Sequence, residues 1–374
     1  MPNKARVFKK MLRITYVFSG AVWSPGGNHR VVFEHANRLA ERGHNVNLVF
    51  PRVPQVSTLP PADASGLLPL KGAATRIRRL IQPSRPRWFH LNPLVKTLSP
   101  IQLSSRTIPI GDAVVATSWH VAHLVAGLPG QHGRPFYLVH HDEGRKYGRD
   151  AIDSTLALPM TKIVVSTSTK IALEHLGASD VVLVRNGIDS HLYRPIVNPE
   201  QREPGSLLMN WVNKDIKDPE MALAALELVR NQSRNISVTF FGVAKRERAL
   251  PDWIKYVRNP SNDQLVKDLY NQSAILMCSS KLEGFGFPAA EGMACGCAVA
   301  TTDCGGVSDS CEHEATALLS RVGDPAALAN NLLRLISDDG LRLRLSKEGS
   351  RRAATLDWDH SVDELETLFR SPAR

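Results

Sequence analysis

At 374 residues the chain is long enough for two domains, each burying a core of its own. Its 43% hydrophobic and 22% charged residues fit a globular protein rather than a disordered or fibrous one, and with no run of 18 apolar residues no transmembrane helix is expected. The net charge of +10 is uneven: residues 1–190 hold 24 Lys and Arg against 11 Asp and Glu, whereas 191–374 hold 22 against 25, so the halves carry +13 and −3.

The start of the chain is basic, but no apolar signal-peptide core follows, and "RITYVFSG" reads better as a first strand; this predicts a cytoplasmic protein. Short apolar runs then alternate with helical patterns, which predicts parallel α/β architecture. In the first half, strands are expected at 13–18, 46–50, 113–117, 136–140, 162–166 and 181–184. Between the first two, Val31, Val32, His35 and Leu39 stand near helical spacing, with Gly43 as a stop. Residues 51–110 break the rhythm with many Pro and Ser, and read as a long insertion or mobile loop region. Within them, "RIRRLIQPSRPRW" at 76–88 concentrates positive charge. The patch suits anionic lipid or an anionic acceptor, or nucleic acid, or is a solvated face. No nucleic-acid module accompanies it: the chain lacks zinc-finger spacing, RNP aromatics and a basic zipper.

A Pro-rich stretch at 193–205 reads as a linker. Beyond it strands are expected at 206–211, 236–242, 274–278, 298–302 and 316–319, and helices at 219–232, 263–272, 288–295 and 325–337. The last segment, 340–370, reads as one amphipathic helical stretch with Trp358 near its middle. The expected division is a Rossmann-like domain over 1–190, a second over 191–355, and a C-terminal helix over 356–374 that packs back on the first domain. Five cysteines (Cys278, Cys295, Cys297, Cys304 and Cys311) fall within 34 residues without zinc spacing, and read as reduced, semi-buried side chains.

Chemistry-bearing residues gather where strands end. Gly26 and Gly27 follow the first strand and could place backbone N–H groups against a phosphate, though G-x-G-x-x-G is absent. "DAVVATSWH" ends in Ser118, Trp119 and His120, and "PFYLVHHDEG" in His140, His141, Asp142 and Glu143. Such His residues are either substrate contacts or ordinary surface and structural groups. "VRNGID" carries a turn signal at Asn186 and Gly187. Lys214 and Lys217 follow the strand at 206–211, as donors to an anion or as solvated loop charges.

The most informative stretch is "KLEGFGFPAAEGMACGCAVATTDCGG" at 281–306. Glu283 and Glu291 flank a Gly-rich turn, Gly284-Phe285-Gly286-Phe287, and Pro288 opens a short helix where its missing N–H costs nothing. The glycines let backbone approach a ligand, and the N–H groups at the helix start favour a phosphate. Two carboxylates flanking an anion seat can hold hydroxyls on either side of a diphosphate, as a nucleotide-sugar presents them. The plainer reading makes Glu283 a loop charge and Glu291 a partner of the helix dipole.

The stretch resembles the E-x7-E signature of retaining glycosyltransferases of the family 4 type, and "GGNHRVVFEHANRLAERGH" resembles that family's opening. The resemblance spans nearly the whole chain. It is strongest at 13–50 and 275–325 and weakest at 51–110. It implies the GT-B fold: two Rossmann-like domains facing across a cleft, the first binding the acceptor and the second the nucleotide-sugar. It implies that Glu283, Lys217 and His141 are catalytic, His140 being the alternative to His141 beside the donor sugar. It implies donor binding by Glu291 (ribose hydroxyls), by the turn Gly284, Phe285, Gly286 and Phe287, by Lys214, and by Gly26 and Gly27. Gly305-Gly306 corresponds to the family's second Gly-Gly turn, with Asp309 as the acidic residue after it, while Asn186 and Asp189 correspond to a structural turn. One departure is plain: the family's Gly-Arg after the first strand of the second domain is replaced by "NWVNK", which leaves the diphosphate clamp to Lys217 and Lys214.

The resemblance implies retention at the anomeric carbon and no metal, and no DxD-type Asp pair follows a strand. No cofactor is expected beyond the donor. The implied partners are a nucleotide-sugar donor, an acceptor that is a glycan, a lipid-linked or a small molecule, an anionic membrane touched peripherally, and no nucleic acid. Two rival readings are another GT-B enzyme, such as a nucleotide-sugar epimerase or phosphorylase, and a non-catalytic basic nucleic-acid-binding protein.

Overall fold

Two all-parallel sheets organise the chain in the computed structural model, which describes residues 10–22, 24–54, 86, 88–144 and 148–372. They belong to two compact units: one takes the chain to 164, then 170–184 and 361–374; the other takes 165–169 and 185–360. The basic segments 1–10 and 76–88 lie outside the described residues apart from Lys10, Pro86 and Trp88.

In the first unit the strands are β1 (Arg13–Val17), β2 (Asn45–Val49), β3 (Lys96–Leu98), β4 (Ala113–Ala116), β5 (Arg134–Val139), β6 (Thr161–Val164) and β7 (Val181–Leu183). Their order is β3-β2-β1-β4-β5-β6-β7. Ile14 sits opposite Val46 on one side and Ala113 on the other. The order reverses between β1 and β4, which is where ligands bind in an open parallel sheet. Helix α1 (Gly27–Glu41) leaves β1, α2 (Trp119–Ala126) leaves β4, α3 (Arg149–Leu156) follows β5, and α4 (Thr167–His175) follows β6.

The second unit repeats the plan with β8 (Ser206–Asn210), β9 (Ser237–Gly242), β10 (Ile254–Arg258), β11 (Ile275–Cys278), β12 (Ala298–Thr302) and β13 (Leu318–Ser320), ordered β10-β9-β8-β11-β12-β13. Its helices are α5 (Pro219–Gln232), α6 (Phe287–Ala294), α7 (Pro325–Ser337) and α8 (Asp339–Ala353). Successive strand residues point to opposite faces, so β8 needs apolar residues throughout. Leu207 and Met209 pack with Leu226 of α5 and Leu332 of α7, while Leu208 packs on the other face with Ala290 and Met293 of α6. Burying each such Leu is worth about 1.5–3 kcal/mol. Helix α6 comes very close to the sheet: a Cβ on Gly292 would stand 2.6 Å from Leu276 Cδ2. That explains the run of small residues in "AAEGMA".

The structure departs from the expected elements in four places. Two strands lie outside the expected set, β3 and β10, and both are sheet edges. An edge strand needs no continuous apolar run: "KTL" is short and "IKYVR" is half-exposed. The stretch 340–370 is two helices, α8 and α9 (Trp358–Arg370), not one. Between them the backbone turns aside to Ile188, whose N–H donates to Leu356 O at 2.8 Å. Finally, 263–272 is not one α-helix. A single α turn (Asn262–Gln264) gives way to a π turn (Leu265–Leu269) and then a 3-10 turn (Tyr270–Gln272).

From residue 361 onward the chain clusters with the first unit. Within that unit Arg42 donates to Glu366 Oε2 at 2.9 Å, His44 Nε2 lies 2.9 Å from Glu366 Oε1, and Arg370 donates to Glu366 at 3.2 Å. Phe369 meets Phe136 edge-on at 4.9 Å. Burial opposes the charge on Glu366, but the hydrogen bonds from Arg42, His44 and Arg370 outweigh it and bring its carboxyl down to about 2.

Candidate active site

The second sheet reverses its order between β8 and β11, so the loops leaving these two strands share the crevice. Both carry the residues that the sequence singled out. After β8, Trp211 turns into the core, stacked on Phe240 at 5.0 Å, with its indole N–H donating to Glu247 at 3.2 Å. Within the stretch "NWVNK", where the resemblance implies a Gly-Arg, Trp211 serves packing. Lys214 is exposed. The chain then makes a short 3-10 turn over Asp215–Lys217 and enters α5 through Asp218, whose φ of 47° is left-handed.

The β11 loop is sewn to that turn. Ser279 Oγ donates to Lys217 O at 2.9 Å and to Asp218 O at 3.0 Å. Lys281 N–H donates to Ile216 O at 2.9 Å, and its ammonium meets Asp215 at 2.6 Å. So held, the Lys217 ammonium donates to Glu283 Oε1, which also accepts from Ser280 Oγ at 2.7 Å. Both Lys217 and Glu283 are part-buried, with side chains 26% and 15% exposed. A carboxylate gripped by an ammonium and a hydroxyl keeps one direction.

The glycines between the carboxylates have separate duties. Glu283 pairs with Gly305 as an isolated parallel bridge, its N–H donating to Cys304 O at 3.1 Å and its O accepting from Gly306 at 3.0 Å. A Cβ on Gly306 would lie 2.4 Å from Glu283 O, so the two glycine turns touch backbone to backbone. Gly286 caps α6 with φ of 84°, and a Cβ there would meet Val307 Cγ1 at 2.6 Å. Only glycine meets both demands. Phe285 is buried and Phe287 part-buried, their rings edge-on at 5.0 Å, with Phe287 stacked on Trp358. Their rings therefore serve the core, and what they can offer an anion is backbone N–H at the start of α6. Glu291 is buried on α6, where Tyr270 Oη donates to its Oε2 at 2.9 Å.

Other named positions stand apart from this cluster. Asp189 accepts from the N–H groups of His191 and Leu192 at 3.0 and 3.2 Å, which makes it a turn residue, and Asn186 is buried. Asp309 accepts from Thr167 N–H at 2.7 Å and from Thr167 Oγ1 at 2.6 Å, both residues belonging to the second unit.

In the first unit Gly26 caps α1. His140 follows β5 directly and is buried, and desolvation, then the nearby His141, His29 and His35, push it well below the usual imidazole range. It is therefore neutral, and its Nε2 has no hydrogen-bond partner among the described residues. His141 is more open, 3.9 Å from Glu143. Ser118, Trp119 and His120 open α2, with the Trp119 and His120 rings 4.1 Å apart.

The structure thus brings Lys217 and Glu283 together and sets the two glycine turns side by side. It leaves Lys214 outside, and places His140, His141, Gly26 and Gly27 in the other unit. Reading the sequence missed Ser280 and Tyr270. Ser280 had a faint signal, a hydroxyl at a strand end three residues before Glu283; Tyr270 had none. Among the described residues no group of three or more His, Cys, Asp or Glu is placed to hold a metal ion, and no helix is long and apolar enough to cross a membrane.

Comparison with known proteins agrees with this geometry. The family model described as Glycosyltransferase Family 4 matches residues 25–192, and the one described as Glycosyl transferases group 1 matches 207–338. The D-inositol 3-phosphate glycosyltransferase 1 of Catenulispora acidiphila is 25% identical over 92% of this chain and 91% of its own length. A D-inositol 3-phosphate glycosyltransferase of Nocardiopsis dassonvillei is 30% identical, but over 31% of this chain and only 27% of its own. Among solved structures, Anabaena HepE in complex with UDP-glucose superposes with a TM-score of 0.71 over 96% of this chain and 99% of that one, at 15% identity. With both halves matched and both parallel sheets in place, the chain belongs to the GT-B glycosyltransferases of the family 4 type.

Proposed function

We propose that the chain transfers a hexosyl or deoxyhexosyl group from a nucleoside-diphosphate sugar to an acceptor hydroxyl, with retention at the anomeric carbon and without a metal ion. The observation that carries this is the grip of Lys217 and Ser280 on Glu283 beside the glycine turn at the start of α6. The diphosphate lies against the N–H groups of that turn, and Lys217 offsets the charge that grows on it as it departs. Glu283 holds the sugar's hydroxyls, and its charge favours an oxocarbenium-like transition state. Glu291 holds the ribose hydroxyls. The bond from the anomeric carbon to phosphate oxygen breaks, the bond to acceptor oxygen forms on the same face, and the acceptor's proton passes to the leaving diphosphate. His141 and the Gly26-Gly27 turn are assigned to the sugar and acceptor by resemblance.

UDP is the first nucleotide to test, since the Anabaena HepE structure holds UDP-glucose. The acceptor is a glycan, a lipid-linked or a small molecule in the cytoplasm, with the basic segments 1–10 and 76–88 resting on an anionic membrane. Calorimetric titration with UDP, GDP and dTDP tests the donor site: one should bind wild type and bind Lys217→Ala more weakly. If none binds, or if the variant binds all three as wild type does, the proposal is wrong.

A further inference from the structure

The π turn at Leu265–Leu269 takes Tyr270 out of the register an α-helix would give it. The turn is fixed from several sides. Asn271 Nδ2 donates to Val266 O at 3.0 Å and to Arg194 O at 3.1 Å, and the buried Arg202 donates to Tyr270 O at 3.2 Å. The Tyr270 ring is fully buried, edge-on to Tyr193 at 6.1 Å and to Phe241 at 5.9 Å. From this fixed ring the hydroxyl reaches one acceptor across 21 residues of sequence, Glu291 Oε2, at 2.9 Å. Burial first, and then the charge of Glu291, push the phenol well above its usual range, so it is always the donor.

A glutamate has three side-chain torsions, and an unrestrained carboxylate must be ordered each time a ligand hydroxyl binds. A rigid donor on one oxygen sets that order in advance. We propose that Tyr270 is a positioning residue for the donor nucleotide: by holding Glu291 Oε2 it aims the carboxylate at the ribose hydroxyls, and so sets the preference for ribose over deoxyribose. The inference rests on the assignment of Glu291 to the ribose made above. Tyr270 then acts only through Glu291 and touches no substrate.

Tyr270→Phe removes one oxygen and keeps the ring contacts, so the fold should survive. The test is calorimetric titration of wild type, Tyr270→Phe and Glu291→Gln with UDP and GDP, each beside its 2′,3′-dideoxy counterpart. Wild type should favour the ribonucleotide. Tyr270→Phe should lower that preference about tenfold, the worth of one hydrogen bond to a charged group, and should leave the dideoxy affinity unchanged. In turnover the loss should fall on the donor KM and spare kcat. Equal weakening of both nucleotides, or loss of the fold with intact Glu291→Gln, means that Tyr270 is structural only, and overturns the inference. If Glu291→Gln abolishes the preference and Tyr270→Phe keeps it, the ribose assignment stands and the role of Tyr270 is rejected. If wild type shows no preference, or Glu291→Gln retains it, the assignment of Glu291 fails and the inference falls with it.

Discussion

Replacing Lys217 with Ala removes the only ammonium seen, among the described residues, to donate to Glu283. Two effects follow. The leaving diphosphate loses a preorganised cation, which typically costs about 10²–10³ in kcat, or roughly 2.7–4 kcal/mol. Glu283 also loses the charge that balances it, keeping Ser280 at 2.7 Å, so an unbalanced carboxylate now stands near a departing dianion. The loss should therefore lie at the upper end, near ~10³. Stability should change little, because the part-buried pair is worth about 1 kcal/mol. Nucleotide release at saturating donor gives kcat, and a melting curve checks the fold. The double variant Lys217→Ala/Glu283→Gln supplies a sharper reading: removing both charges should cost less than the product of the two single losses, since the partners are coupled. Lys214→Ala should be mild, since that side chain is exposed and outside the grip. Near-normal turnover in Lys217→Ala, with Lys214→Ala crippled, would refute the reasoning and move the clamp to the other lysine.

Three further outcomes are expected. Glu283→Gln should lower kcat and Glu291→Gln should raise the donor KM, so that free nucleoside diphosphate binds the first variant almost as wild type and the second clearly less; identical responses would dissolve the division of roles. Glu366→Gln should lower Tm at neutral pH by roughly 2–6 °C; because the carboxyl sits at about 2 when folded against 4.5 ordinarily, its stabilisation is complete above about pH 4.5 and fades as pH falls toward 2, so the gap between wild type and variant measured by calorimetry should close over that window. With positive charge concentrated in 1–10 and 76–88, the protein should sediment with anionic vesicles at low salt and be released at high salt, and equal partitioning to neutral vesicles would remove the membrane from the account.

Central strands were legible because both of their faces are buried, which forces continuous apolar runs such as "LLM" in β8 and "ILM" in β11. The edge strands β3 and β10 escaped because one side of each is free of that demand. The carboxylate spacing, the glycines and Pro288 were likewise written locally, since a helix start and a left-handed turn are set by neighbouring residues. What the sequence left open were choices between residues far apart along the chain. Resemblance set Lys217 above Lys214, but only the fold shows Ser279 and Lys281 holding the turn that delivers Lys217 to Glu283, 66 positions away. The single helix expected at 263–272 hid the π turn that points Tyr270 at Glu291. Local propensity decides which residues form a strand or a turn; which hydroxyl or ammonium meets a given carboxylate depends on how two loops pack at the sheet's reversal point, and that exists only once the chain has folded.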